Sequence, residues 1–323
     1  MTYPAWATNT LDCLAVEEGT RFQALVDEPL TEVGLILCRA ALERGARATV
    51  TVIPDAARPL AWASEPFLDS LASTDAAVMF KAHIHDGEFA PFRHPIYKRI
   101  EQTGTRLAFG PDLDDEILAT EMAADYDEMA ARCASLIAAL GAASTIRVTT
   151  PGGTDCTFDV TGRSWITDDG RVQPGHFGNL PAGEVFIAPT RTGAQGVCVI
   201  DRSIALGGLG LLGTPISLHF DAGRIVEVSG GPEADVVREA IAEAGEGADV
   251  VAELGIGTNE RARITGKIIT DEKVLGTAHV AFGDNTGHYG GDNSASIHVD
   301  GVMADATIEA DGTAVMERGV IAT

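Results

Sequence analysis

Positive charge is what this chain lacks most. Its 323 residues carry 23 Lys and Arg against 47 Asp and Glu, a formal charge of −24. A protein that grips nucleic acid by its phosphates needs the opposite balance, and the same deficit argues against an anionic membrane surface. Aromatic residues make up only 6%, so the apolar core has to come from Ala, Val, Leu and Ile. Cysteines are few and scattered: Cys13, Cys38, Cys133, Cys156 and Cys198 are odd in number, and none has a neighbour at the short spacing of a zinc knuckle or redox motif. That usage reads as reduced thiols in a cytoplasm, with Cys156 and Cys198 as small core residues. The opening MTYPAWATNTLDCL has no charged segment followed by an apolar one, so no secretory leader is expected. The first half has neither G-x-G-x-x-G after its first strand nor G-x-x-x-x-G-K, so no nucleotide cofactor is indicated. One uncharged run, 203–220, reaches the lower length limit of a spanning helix. It contains Gly207, Gly208, Gly210, Gly213 and Pro215, which suit turns and close packing better than a membrane helix.

What is present is an alternation of patterns. Residues 22–26, 48–53 and Ala76–Phe80 read as short buried strands, and 30–44 as a helix with Val33, Leu37 and Ala41 on one face, stopped by Gly45. Leu118, Met122, Met129, Cys133, Leu136 and Leu140 form one stripe of a longer helix ending at Gly141. After about residue 143 the texture turns to strands, with candidates at 146–150, 156–160, 185–188, 197–201, 216–220 and 224–229. Hairpin turns are expected at Asp221-Ala222-Gly223 and Asp311-Gly312, and a helix at Pro232–Ala244. The expected fold is α/β: an amino-terminal βαβ-type parallel-sheet domain over 1–142, then a strand-rich α+β domain over 143–323.

Chemistry-bearing residues concentrate between Glu184 and Asp300. Glu184 leads into an apolar strand, and Glu253 lies in Val-Val-Ala-Glu-Leu-Gly-Ile-Gly, a run that reads as buried on both faces. A buried ionised carboxylate needs a cation, a base partner or a proton; an outward-facing acid or one paired with arginine is the alternative. His279 falls in a strand-like segment. His298 and Asp300 form a His-x-Asp in another, which puts imidazole and carboxylate on one face. That is half of a divalent-metal site, or else an exposed polar sheet face. Asp271 and Glu272 precede His279, and Asp284, His288, Tyr289 and Asp292 crowd a Gly-rich loop. No basic cluster is visible to neutralise these acids, and divalent metal would do so. In the first half, Lys81-Ala82-His83-Ile84-His85-Asp86 has metal-like alternation but equally suits a polar loop, and Arg261 and Arg263 could hold an anionic group.

Four segments carry a resemblance. Gly178-Asn179-Leu180-Pro181-Ala182-Gly183-Glu184-Val185-Phe186, Ala252-Glu253-Leu254-Gly255-Ile256-Gly257-Thr258-Asn259, the 271–283 run DEKVLGTAHVAFG, and Ile297-His298-Val299-Asp300 together resemble the M29 metallo-aminopeptidase family, the aminopeptidase T-like proteins. The likeness is close over roughly 146–310 and looser before it. It implies a homodimer and a pair of divalent ions (Zn, Co or Mn) held by Glu184, Glu253, His279, His298 and Asp300, with Glu272 as general base. The family's metal-binding Tyr, seven residues after the first His, is replaced by Thr286; His288 or Tyr289 is then a candidate additional ligand. The leading expectation is a cytoplasmic metal-dependent hydrolase, aminopeptidase-like, that acts on a short peptide or small-molecule amide. The same architecture resembles 2,5-dihydroxypyridine dioxygenase, a mononuclear Fe(II) enzyme whose two-His-one-carboxylate set would be His279, His298 and Asp300. The third expectation is a non-catalytic metal- or ligand-binding protein.

Overall fold

A computed structural model describes residues 2–85 and 87–322. The chain is α/β, with one parallel sheet and two antiparallel ones. It divides into two compact units, Met1–Tyr126 with Gly170–Ala182, and Asp127–Asp169 with Gly183–Thr323.

The first unit is built on β-branched and small residues that alternate with helices. Its parallel sheet runs Arg47–Ile53, Arg21–Asp27, Ala76–Phe80, Arg106–Gly110 and Phe177–Asn179. The first, second and third of these were legible as strands; the last two were not. Helix Thr31–Glu43 lies against the sheet through Val33, Leu37 and Gly34, where a Cβ would come within 2.9 Å of Val50. The sheet core joins Leu25, Ala77, Met79, Leu107 and Phe109 to Leu68, Leu71, Ile96 and Ile100 from helices Glu65–Ala72 and His94–Thr103.

The long stripe ending at Leu140 is not one helix. It breaks into helix Asp115–Ala119, a tight turn at Glu121–Ala123, and helix Tyr126–Leu140. Ala124 is extended (ψ 162°), and the Asn9 side-chain amide donates to the carbonyls of Met122 and Ala124, at 3.0 and 2.8 Å. A side chain distant in sequence thus satisfies the backbone groups that the break releases, which residue periodicity could not register.

Order reverses between the Arg21–Asp27 and Ala76–Phe80 strands, and the carboxyl ends there carry a buried ion network. Arg58 pairs with Asp27 and with Glu88 (2.8 Å), and Lys81 pairs with Glu88 (2.7 Å). Lys81 is therefore a core partner. His83 is exposed and His85 half-buried; Asp86 lies outside the described residues.

The second unit holds both antiparallel sheets. The eight-stranded one includes the two-residue hairpins expected at 221–223 and 311–312, with Ala222, Gly223, Asp311 and Gly312 all at positive φ. The seven-stranded one runs Gly210–Leu211, Ser203–Ile204, His298–Met303, Ala278–Gly283, Val251–Gly257, Glu184–Ile187 and Ile166–Asp168. The uncharged run 203–220 resolves into short strands and turns. Among the described residues no helix is long and apolar enough to cross a membrane.

Burial alone would raise the Glu88 carboxyl, but Lys81 and Arg58 overcome that and hold it at about 2. Its contribution to stability is therefore complete above the ordinary carboxylate range and lost as pH falls toward 2. Glu88→Gln leaves two buried cations short of a partner. Chemical denaturation should show a loss of about 3–5 kcal/mol; a change within experimental error would contradict the paired assignment.

Candidate metal centre

Register places the donors. In the seven-stranded sheet Gly255 pairs with His279, Glu253 and Asp300 both pair with Ala281, His298 pairs with Gly283, and Gly257 pairs with Glu184. Paired residues share a face, and so do residues two apart along one strand. Glu184, Glu253, His279, His298 and Asp300 therefore fall on one face of four adjacent strands, and the structure brings them together. His279 Nε2 lies 3.3 Å from Glu184 Oε2 and 3.4 Å from Glu253 Oε1; His298 Nε2 lies 3.4 Å from Glu253 Oε2 and 3.3 Å from Asp300 Oδ1. The set is closely shielded: His279, Glu253 and Glu184 are buried.

Glycine at 255 is a geometric requirement. A Cβ there would stand 2.0 Å from His279 Nε2, so the imidazole lies across the strand where a side chain would otherwise project. The other imidazole is fixed by its second nitrogen. His298 Nδ1 donates to the Asp284 carbonyl at 2.6 Å, which turns the Nε2 lone pair toward Glu253 and Asp300. Tyr289 stacks on the His298 ring (centroids 4.4 Å apart, 17° between planes). Phe186, two residues from Glu184 on the same strand, packs against Tyr289 and His288. Tyr289 is thus a wall over one ligand, His288 is exposed, and the Thr286 hydroxyl is turned onto Asp284 (3.0 Å). The loop that carries them is held by Asn285 and Asn293, whose buried side-chain amides donate to backbone carbonyls of Ala252, Gly247 and Gly283.

Two features escaped the sequence reading. Asp168 pairs with Glu184 across the neighbouring strand. Lys273 reverses the expectation that no base neutralises these acids: its fully buried ammonium contacts Glu184, lies 2.8 Å from Glu272 Oε1 and 3.7 Å from Asp168 Oδ2. The signal was present as a lysine inside the DEK segment, but adjacency in sequence did not reveal that its head points into the acid cluster. Glu272 directly follows the short helix Ile268–Asp271, and its carboxylate lies with ligand atoms of Glu184 and His279 within 4.8 Å of one another.

The electrostatics divide the face in two. Burial pushes the Glu272 carboxyl up to about 8 even with Lys273 beside it, and raises Glu184 as well. Burial would also raise Glu253, yet the imidazoles of His279 and His298 draw it down to about 2. Both imidazoles move up against the effect of burial: His279 to about 9, mainly through Glu253 and Glu184, and His298 well above its ordinary value, mainly through Asp300. Glu184 Oε2, His279 Nδ1 and His298 Nε2 are buried with no hydrogen-bond partner. Glu184 Oε2 and His298 Nε2, left without hydrogen bonds beside the carboxylate-facing His279 Nε2, are a donor set for a cation, and Glu253, His279 and Asp300 offer ligand atoms within 4.8 Å of one another.

Two outcomes follow. Gly255→Ala should displace the imidazole and weaken divalent-ion affinity by about 10–100-fold, the usual size of a disturbed ligand support, with the far-ultraviolet circular dichroism spectrum unchanged; undiminished affinity would contradict the packing. With the His279 pKa lifted from 6.5 to about 9, an incoming ion has to displace imidazole protons. Affinity should rise with pH across that interval, and calorimetry at pH 7 in buffers of different ionisation enthalpy should register about two protons released. Binding without proton release would contradict it.

The sequence matches the NicX family, 2,5-dihydroxypyridine 5,6-dioxygenase, over residues 10–323. No curated relative matches it. Among solved structures, 2,5-dihydroxypyridine dioxygenase from Pseudomonas putida KT2440 aligns with a TM-score of 0.79 at 19% identity, covering 99% of this chain and 96% of the other. Wild-type AmpT from Thermus thermophilus aligns with a TM-score of 0.72 at 21% identity, covering 99% of each chain. At these identities the likeness is one of fold, and it unites the two groups that the motifs resemble. The family match spans nearly the whole chain, and the protein belongs to the NicX family.

Proposed function

We propose that the protein is a mononuclear non-haem iron(II) dioxygenase that opens a dihydroxylated pyridine ring, in place of the aminopeptidase-like hydrolase that the motif resemblance put first. The observation that carries this reading is the divided donor face. Glu184, Glu272 and Asp168 already have a fixed cation in Lys273, whereas among the described residues Asp300 is paired only with the His298 imidazole, which a metal ion can take over as a ligand. Two imidazoles and one carboxylate with open positions are the ligand set of Fe(II) oxygenases, and the NicX match supports the same assignment. The AmpT likeness supports the scaffold and leaves the reaction to the site.

His279, His298 and Asp300 would hold the ion, with Glu253 bracing both imidazoles. Iron(II) bound there supplies the redox chemistry through which O2 adds to an electron-rich ring. The chain's own residues do the rest. Tyr289, partly exposed and backed by the buried Phe186, presents a flat apolar surface beside the donors, which suits a planar substrate. Glu272, lifted to about 8, is matched to accept the proton of a ring hydroxyl near neutral pH. Burial of the surrounding strands excludes bulk water from the donor face.

The direct assay is oxygen uptake by anaerobically Fe(II)-loaded protein given 2,5-dihydroxypyridine. One O2 per ring, with loss of the aromatic ultraviolet band, is expected. Hydrolysis of aminoacyl anilides by the Zn-, Co- or Mn-loaded protein without oxygen uptake would restore the hydrolase. Glu272→Gln should slow ring opening by about 10²–10⁴-fold with iron content unchanged, while His298→Ala should lose iron and activity together. Loss of iron from the Glu272 variant would make that residue a ligand.

A further inference from the structure

The donor face carries two overlapping ligand sets that share His279. One is Glu253, His279 and Asp300; the other is Glu184, Glu272 and His279. In each, the ligand atoms lie within 4.8 Å of one another, so the second set is chemically complete for a divalent ion. Lys273 stands inside that second set. Its Nζ contacts Glu184 Oε1, lies 2.8 Å from Glu272 Oε1 and 3.7 Å from Asp168 Oδ2, and its side chain has no exposure.

The backbone holds the ammonium there. The Asn259 amide donates to the Lys273 carbonyl, and the Lys273 amide donates to Thr270. Upstream, the buried Asp271 carboxylate accepts from the Thr265 and Gly266 amides at 2.6 and 2.9 Å. Gly257 lets the strand lie directly under this segment, since a Cβ there would come within 2.1 Å of the Val274 carbonyl oxygen and 2.8 Å of the Lys273 carbonyl carbon. Lys273 does not reach solvent. An ammonium spends its three hydrogens on the same oxygen lone pairs that a metal ion would use, and its charge repels an ion placed beside it.

We propose that Lys273 is a tethered cation standing in for a second divalent ion, so that the chain holds one ion at His279, His298 and Asp300 and refuses another at Glu184 and Glu272. This deepens the mononuclear reading above and rests on it. The pair of ions implied by the aminopeptidase resemblance does not fit a face on which one of the two cation positions is built from protein. The consequence is chemical: with no second ion to share a bridging water, the open positions of the single ion are left for an external ligand.

The test is metal stoichiometry of the full chain, metal-stripped, equilibrated with Mn2+ alone, desalted and measured by plasma mass spectrometry. Wild type should retain one ion per chain. Lys273→Met, which keeps the length of the stem and deletes the charge, should retain two. Lys273→Met combined with Glu272→Gln should return to one, because the new site then lacks a ligand. Two ions in wild type would overturn the inference. So would one ion in a folded Lys273→Met, since something other than the ammonium would then exclude the second. If Lys273→Met unfolds, excess Mn2+ should restore its melting transition; failure to do so also overturns the inference, because the acids would need the lysine for more than its charge. The outcomes separate from those of the functional reading. One ion in wild type without oxygen uptake defeats the dioxygenase and leaves Lys273 its role, whereas oxygen uptake with one ion in both proteins does the reverse.

Discussion

Carboxylates collected on one buried sheet face have to be neutralised, and the rest of the second unit is arranged around that need. Asp168, Glu184, Glu253, Glu272 and Asp300 are linked through Lys273, His279 and His298, and an uncompensated buried carboxylate costs several kcal/mol. The chain supplies three groups that can carry positive charge, Lys273, His279 and His298. Lys273 is bound to one side of the cluster and the imidazoles to the other. The carboxylates raise the pKa of both imidazoles, and a metal ion bound there would displace their protons. Charge balance thus links the fold to an ion, and the position of the fixed charge decides which donors remain for it.

The geometry that serves this balance is inexpensive in sequence. Antiparallel register alone puts five donor-bearing positions from four strands, two of them on His298–Met303, on the same face. Gly255 and Gly257 then remove the side chains that would block the His279 ring and the Lys273 segment. The loop after the Ala278–Gly283 strand adds Tyr289 as a cover and the Asp284 carbonyl as the tautomer-setting acceptor, both held by the Asn285 and Asn293 amides. Each part is positioned by regular structure or by a buried amide.

Much of this was legible in the sequence because it is local. His-x-Asp in a strand shares a face whatever lies beside it, and the hairpins at 221–223 and 311–312 follow from turn chemistry. The alternation of short apolar runs and helices gave the parallel sheet of the first unit. What was hidden is what depends on partners distant in the chain. Asn9 satisfies a helix break more than a hundred residues away, and the strand Phe177–Asn179 joins a sheet whose other members end by Gly110. The missing counter-charge was the costliest gap. Lys273 is adjacent to Glu272 in sequence, but only the packing of 257–277 shows that its ammonium turns inward, and that fact moves the reading from a paired-ion hydrolase to a single-ion oxygenase.

The proposed arrangement has one ion on one side of the face and a lysine on the other. It is tested most directly by crystallography of the anaerobically Fe(II)-loaded protein with anomalous data at the iron edge. A single peak is expected at ligand distance, about 2.0–2.2 Å, from His279, His298 and Asp300, with Lys273 still seated between Glu184 and Glu272. Two peaks, or one peak bound by Glu184 and Glu272 with the lysine displaced, would contradict it.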